Sequence, residues 1–300
     1  MLLFHPLTLD DKPWIDRHVR EEDSRSADFN FGNMFLWDHV YHQMVADSDR
    51  HLVTLCRTDA DPVFPFPIGC GDFATAVEEM AEYAAENDFP LVIRGLEERH
   101  VALLEQRFPG KFSITEDRDF ADYLYDAEKL IALTGKKLHG KRNHINRFCA
   151  EHEWSFRALQ ATDREACMAL LKLWTEEADE TRGRIESEHR AIESAFRYFD
   201  ALELFGGILF ADGEIAGFTI GEKISSDTFD VHFEKARGYV NGAYPMVNRE
   251  FVRMIRGRWP EIRYINREDD MGLENLRRSK LSYEPDLLLR KFTARRRDEA

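Results

Sequence analysis

Residues 205–236 read FGGILFADGEIAGFTIGEKISSDTFDVHFEKA. This stretch holds three apolar runs, GGILFAD, GEIAGFTIGEK and DTFDVHFEKA. Asp212-Gly213 joins the first two. Both residue types tolerate the positive φ of a tight hairpin turn, so the pair predicts two adjacent antiparallel strands. Ser225-Ser226-Asp227 joins the second and third. Connections this short leave no room for a crossover, so the three runs form an antiparallel meander. Two helical patterns precede it, TDREACMALLKLWTEEAD and SEHRAIESAFRYFDALEL, the first capped by Thr162 or Asp163 with Glu165 completing a capping box. A third helix, PMVNREFVRMIRGRW, and a strand, EIRYINRE, follow it.

The first half alternates in the same way. A helix is predicted over residues 7–20, opening near Thr8 or Asp10. The aromatic-rich SADFNFGNMFLWDHVYHQMVAD reads as a short helix running into a strand, and HLVTLCR as a strand. DPVFPFPIGCGD is broken by Pro and Gly into a loop or interrupted edge strand. DFATAVEEMAEYAAEN places Phe73, Val77, Met80, Ala81 and Ala84 on one helical face. PLVIRGL is a strand and EERHVALLEQRF a helix. The 300 residues therefore read as α+β with a mixed sheet, in two domains, 1–128 and 129–300.

Charge narrows the function classes. The chain carries a formal −15, which argues against nonspecific duplex binding. One segment runs the other way. GKKLHGKRNHINRF, residues 135–148, holds Lys136, Lys137, Lys141, Arg142 and Arg147 and no acid, so the rest of the chain stands at −20 (−15 less five positive charges). On a helix Leu138, Ile145, Phe148 and Cys149 fall near one face, and Lys137, Lys141 and His144 line another. The expected counter-charge is a phosphate-bearing ligand or the acidic body, with Glu176, Glu177, Asp179, Glu180, Glu186 and Glu188 as candidates. Gly140 within the run would permit close approach of a ligand or a backbone. The four cysteines show neither CxxC spacing nor a paired histidine pattern, so neither a metal site nor a disulfide framework is expected. No apolar run reaches membrane-span length, and MLLFHPLTLDDKPW has no signal-peptide pattern, so the expected location is the cytoplasm.

Three places have chemistry to offer. In DTFDVHFEKA a period of two puts Asp230, His232 and Glu234 on one face. A histidine two residues from a glutamate suits a general base for an attacking amine, and the alternative is a strand with one solvated face. In ARGYVNGAYPMVNREF a Gly-containing loop opens a helix, a place where backbone N–H groups can hold a phosphate. Asn241 and Tyr244 lie there. In EIRYINREDDMGLENLRRSKLSY, Asn266, Arg267, Asp269, Asp270, Arg277, Arg278, Lys280 and Tyr283 crowd a strand end next to a Gly.

The order helix pair, meander, helix, strand resembles the acyl-CoA N-acyltransferase (GNAT) fold, in which two central strands splay apart and donor and acceptor meet in the gap. The motifs LTGKKLHGKRNHINRF, GFTIGE, VHFEKA, GAYPMVNREF and YINREDDMGLENLRRSKLSYEP resemble more narrowly an uncharacterised bacterial family grouped with the C-terminal domain of phosphatidylglycerol lysyltransferase. The resemblance spans nearly the whole chain. It implies a tandem of two GNAT-like domains and similarity to the Fem peptidyltransferases, which take amino acids from aminoacyl-tRNA. Against the family's closing pattern G-L-x-x-x-K-x-x-[FY]-x-P, Leu276, Lys280, Tyr283 and Pro285 match and Asn275 replaces the glycine. The [Q/R]-x-x-G-x-[G/A] pattern of coenzyme A binders fails, with Tyr239 and Tyr244 at its outer positions around Gly242. The flippase half of the lysyltransferases is absent from this sequence.

The expectation is then an acyltransferase moving an aminoacyl group from aminoacyl-tRNA to an amine or hydroxyl acceptor. His232 or Glu234 would be the base, and Lys280 would stabilise the oxyanion. Substrate or phosphate contacts would come from Lys137, Lys141, Arg142, Asn143, Asn241, Tyr244, Asn266, Asp270, Arg277 and Tyr283. No metal and no resident cofactor are called for. The alternatives are an acyl-CoA-dependent N-acyltransferase and a non-catalytic module binding an anionic ligand. Expected partners are the tRNA acceptor end and a small-molecule or peptide acceptor, with no duplex DNA and no integral membrane part.

Overall fold

The computed structural model describes residues 2–48, 50–58, 61–177 and 182–297. Its contacts divide the chain into two compact units. The first is Met1–Asp122 with Asp269–Leu273 and Leu288–Ala300; the second is Tyr123–Glu268 with Glu274–Leu287.

The first unit runs β1 (His5–Pro6), α1 (Lys12–Glu22), α2 (Phe31–Tyr41), β2 (Met44–Ser48), β3 (His51–Leu55), β4 (Phe64–Pro65), β5 (Ile68–Gly69), α3 (Phe73–Glu86), β6 (Val92–Leu96), α4 (Glu98–Arg107) and β7 (Phe112–Glu116). The helix expected over residues 7–20 opens at Thr8 with a 3-10 turn, held by a reciprocal bond pattern between Thr8 and Asp11, and continues as α1. The interrupted segment around Pro62–Pro67 leaves two-residue strands, β4 and β5, each at a sheet edge. In α3, Asp72 caps the first turn; of the expected face Val77, Met80 and Ala84 are buried, while Phe73 and Ala81 are half-buried and Ala74 and Ala76 are buried beside them. One feature has no mark in the sequence. The strand at Phe292–Arg296 pairs between β6 and β7, giving the sheet order β4-β6-β15-β7 once that strand is numbered β15 in chain order.

The second unit runs β8 (Asp122–Asp126), α5 (Ala127–Ala132), α6 (His139–Glu151), β9 (Trp154–Ala158), α7 (Arg164–Glu177), α8 (Arg182–Arg197), β10 (Phe205–Ala211), β11 (Glu214–Lys223), β12 (Thr228–Ala236), α9 (Ala243–Arg258), β13 (Tyr264–Asn266) and α10 (Glu274–Leu281). The short strand β14 (Leu287–Leu289) comes last before β15. The meander is present: β10-β11 and β11-β12 are antiparallel neighbours. Around it the order is β14-β8-β13-β12-β11-β10-β9. β12 pairs β13 in parallel, as a crossover through α9 demands. The core of this unit joins Tyr123, Tyr125, Ile145, Phe148, Phe229, Phe251 and Ile255. Each large side chain buried there contributes on the order of 1.5–3 kcal/mol.

The basic run is α6 with the turn before it, and Leu138, Ile145 and Phe148 are buried as expected. Cys149 is exposed instead, since it lies at the rim of that stripe. Burial pushes the Cys56 and Cys167 thiols each up to about 12, so neither is a reactive nucleophile. Among the described residues, no helix is long and apolar enough to cross a membrane.

Candidate functional site

The ladder between β12 and β13 is short. It pairs Thr228 with Tyr264, Phe229 with Ile265 and Asp230 with Asn266, and then stops. β12 continues through residues 231–236, while the chain after Asn266 turns back toward β8, where the Arg267 N–H donates to the Tyr123 carbonyl. The two central strands of the second unit therefore part at Asp230.

β12 has a second irregularity. Opposite it, Ile220 pairs with Phe233 and Gly221 with Val231, so His232 is an extra residue with no partner in the ladder. Such a bulge breaks the alternation of sides, and the polar triplet expected on one face is divided between two networks. Nor is either face of β12 solvated, for eight of its nine residues are buried. Gly221 makes the bulge possible. A Cβ there would lie 2.0 Å from the Asp230 carbonyl oxygen. Gly221→Ala is expected to cost about 1–3 kcal/mol through overpacking, read as a lower midpoint in urea unfolding; an unchanged midpoint would show that the strands shift freely.

The first network centres on His232, whose side chain is fully buried. Nε2 lies 2.9 Å from Glu222 Oε1, and Nδ1 lies 3.0 Å from Glu268 Oε1 and 3.3 Å from Asp230 Oδ2. Burial works against a charged ring, but Asp230, Glu222 and Glu268 outweigh it and raise the His232 pKa well above its usual range. Glu268 sits in left-handed backbone at φ 56, held by a hydrogen bond from its N–H to Asn266 Oδ1 at 2.7 Å.

The second network lies farther along β12, where the strands have parted. Arg267 reaches from the end of β13 and donates from Nη2 to Glu234 Oε1 at 2.9 Å, and Asn248 on α9 donates to Glu234 Oε2 at 3.2 Å. The guanidinium stacks on Tyr283, 4.9 Å from the ring centroid, and is 5.9 Å from that of Tyr125. Lys141 Nζ sits 4.0 Å above the Tyr283 ring. Burial, with Arg267 nearby, lowers the Lys141 pKa, and Glu234 opposes that shift. Among the described residues no acid forms an ion pair with Lys141. The Arg267 Nη1 and Asn248 Oδ1 atoms are buried without a hydrogen-bond partner there. The cluster thus sets two cations against one carboxylate, on an aromatic floor, at the parting of the central strands.

The other expected site residues fall as follows. Lys280 is buried; its Nζ donates to the Arg267 carbonyl at 2.5 Å and lies 5.8 Å from the Tyr123 ring. Its own carbonyl accepts from Tyr125 Oη at 2.8 Å. Lys137 pairs with Glu284 at 2.6 Å, and Arg142 donates to the Leu133 and Gly135 carbonyls at the end of α5. Asn143 contacts His139 within α6, and Asn241 contacts His144 at 2.7 Å. Tyr244 and Arg277 are half-buried. Asp270 belongs to the first unit, where it meets Arg118 at 3.2 Å and caps the turn at Gly272. Glu188, one expected counter-charge for the basic run, pairs with Lys235. The side chains of Glu176, Glu177, Asp179 and Glu180 lie outside the described residues. Gly140 has no described atom within 4 Å of the position of a Cβ, so no described backbone approaches it closely. Asn248 and Glu268 were not among the expected site residues; Glu268 lies in a dense polar run, and Asn248 is one residue in an amphipathic helix.

The loop before α9 is packed against α6. Gly242 has φ 88, and a Cβ on it would lie 2.5 Å from the His144 carbonyl oxygen. Together with the Asn241–His144 contact, this fixes the loop on a neighbouring helix.

The family described as phosphatidylglycerol lysyltransferase, C-terminal, matches residues 20–295. A conserved protein of unknown function from Bacteroides thetaiotaomicron is 35% identical, with a TM-score of 0.93 over 99% of this chain and 100% of that one. FemX superimposes with a TM-score of 0.65 at 8% identity, over 97% of this chain and 96% of its own. A tandem GNAT protein from the clavulanic acid biosynthesis pathway gives 0.51 at 13% identity, over the full length of both. These two likenesses show the fold, a tandem GNAT-like arrangement of mixed sheets. An uncharacterized protein of Mycoplasmoides gallisepticum is 24% identical over 179 residues, 57% of this chain, and the chain spans about half of that relative's length, 54%.

Proposed function

This chain belongs to the family of phosphatidylglycerol lysyltransferase C-terminal domains, and from that premise we propose that it is an acyltransferase which moves an aminoacyl group from aminoacyl-tRNA to an amine or hydroxyl acceptor. The observation that carries the reading is the Lys141–Arg267–Glu234–Tyr283 cluster at the point where β12 and β13 part. An ester carbonyl placed there meets two cations, which would stabilise the oxyanion of a tetrahedral intermediate. Glu234 takes the proton from the acceptor as its nitrogen or oxygen bonds to the carbonyl carbon. The bond from that carbon to the ribose oxygen breaks, and the proton passes to the departing hydroxyl. Of the two groups expected as base, Glu234 is the one in this cluster, and His232 has carboxylates at both ring nitrogens. Lys280 acts as a positioning residue, since its ammonium holds the Arg267 backbone.

Aminoacyl-tRNA is preferred over an acyl-CoA donor because the loop at Gly242 is packed on α6 and lacks the residues of a coenzyme A cradle. The localisation that fits is cytoplasmic, where charged tRNA is found. The test uses a pool of radiolabelled aminoacyl-tRNA with a panel of small amines, short peptides and hydroxylated acceptors. Label is expected to leave tRNA and enter an acceptor faster with protein than without, and Lys141→Ala is expected to lower kcat/KM roughly 10- to 100-fold, the loss of one charge at the oxyanion. Coenzyme A release from acyl-CoA esters with no acceleration from charged tRNA would overturn the donor. A second expected result is a fall in tRNA affinity with rising salt, since phosphate contacts release counterions.

A further inference from the structure

The His232 network is separate from the cluster assigned to transfer, and its spacing is unusual. Nδ1 faces two carboxylate oxygens at once, Glu268 Oε1 at 3.0 Å and Asp230 Oδ2 at 3.3 Å. One ring proton cannot point along both lines. The donor atoms of Asp230, His232 and Glu268 all lie within 4.8 Å of one another. Ligands about 2.1 Å from a common ion stand roughly 3.0 Å apart at a right angle and roughly 3.4 Å apart at the tetrahedral angle. The separations of 3.0 Å and 3.3 Å fall in that interval.

The other ring nitrogen points the same way. Nε2 is 2.9 Å from Glu222 Oε1. A metal-bound histidine almost always donates its second N–H to a carboxylate, a backbone carbonyl or water, which fixes the tautomer and aims the lone pair of the first nitrogen, and Glu222 is such an acceptor. The bulge supplies the geometry. It places an extra residue, His232, between Val231 and Phe233, and the parting of β12 from β13 brings Glu268 over the ring.

We propose that Asp230, His232 and Glu268 form a binding site for one divalent first-row transition-metal ion, with Glu222 orienting the imidazole. One nitrogen and two oxygens suit zinc or manganese. The Asp230 and His232 side chains are fully buried, and Glu268, 25% exposed, gives the side of entry. The site goes beyond aminoacyl transfer and does not depend on it.

The test is metal content and affinity of the intact chain. Protein stripped with a chelator is titrated with Mn²⁺, which avoids the exposed thiols of Cys70 and Cys149, and then with Zn²⁺. Bound metal is counted by elemental mass spectrometry after desalting. One ion per chain is expected, with a rise in Tm on loading. Glu268→Gln is expected to weaken binding at least 100-fold, and Glu222→Gln roughly 10- to 100-fold, the usual effect of losing an outer carboxylate. Should Asp230→Asn fail to fold, Glu268→Gln decides, because its side chain is partly in solvent. No bound Mn²⁺ or Zn²⁺ in the wild type, or the same affinity in a folded Glu268→Gln, overturns the site. A protein that binds the ion but moves no aminoacyl group would leave the site standing and sink the transfer reading alone.

Discussion

Arg267→Ala is expected to lower the stability of the chain by roughly 3–5 kcal/mol, because it breaks a buried ion pair from one side. Glu234 keeps 8% of its side-chain exposure and Arg267 13%, so water reaches neither group well. Without the guanidinium the Glu234 carboxylate would keep, among the described residues, the Asn248 amide as its hydrogen-bond donor, with the Lys141 charge nearby. The stacking on Tyr283 goes as well. Urea unfolding followed by circular dichroism measures the loss. The double variant Arg267→Met with Glu234→Gln is expected to recover much of it, since no uncompensated charge then remains. A single-variant loss below about 1 kcal/mol would mean that the pair behaves as a solvated surface bridge. Activity should fall in both variants, so stability and transfer separate the structural role of the pair from its chemical one.

Lys291→Met is the counterpart in the first unit, again about 3–5 kcal/mol. Lys291 is 2% exposed. Its ammonium lies 2.7 Å from Asp122 Oδ1 and 2.9 Å from Asp28 Oδ2. Asp122 also accepts the Ala27 N–H at 2.9 Å, so this one lysine ties the ends of two segments together. Burial alone would push the lysine pKa down; Asp122 and Asp28 outweigh it and hold it well above the usual range. A raised folded-state pKa gives stability that is fully present below the unfolded value, near 10.4, and is lost as pH rises through the folded one. The contribution of Lys291 is therefore expected to be the same at pH 6 and pH 9. Unfolding midpoints of wild type and variant at both values check this, and a gap between them that closes by pH 9 would contradict it.

Much of the fold was legible because it rests on local pattern. Asp212-Gly213 and the alternating runs beside it specified the meander through turn geometry and pleat. The 3.6-residue period specified α3 and the buried stripe of α6, Leu138, Ile145 and Phe148. The motifs of the C-terminal half carried the family resemblance. The site was legible only in part. Lys141, Glu234, Lys280 and Tyr283 stood out as polar groups in recognisable motifs. Arg267 stood out with them, but the pairings did not, since Arg267 meets Glu234 across 33 residues of chain and Glu268 meets His232 across 36. Asn248 reaches Glu234 from the inner face of α9, and a lone asparagine in an amphipathic helix does not say which group it will meet.

The sequence by itself determined most of the succession of helices and strands up to β13, the antiparallel meander and the basic helix, since hydrophobic period, turn residues and charge are properties of neighbours along the chain. Tertiary structure alone decided three things. It set His232 in a bulge, because an extra residue is defined only against the register of β11. It took the expected trio of Asp230, His232 and Glu234 apart and gave each network partners from elsewhere. It brought Phe292–Arg296 back between β6 and β7, because a strand's neighbours depend on which edges are left unpaired, and a short run of residues carries no record of that.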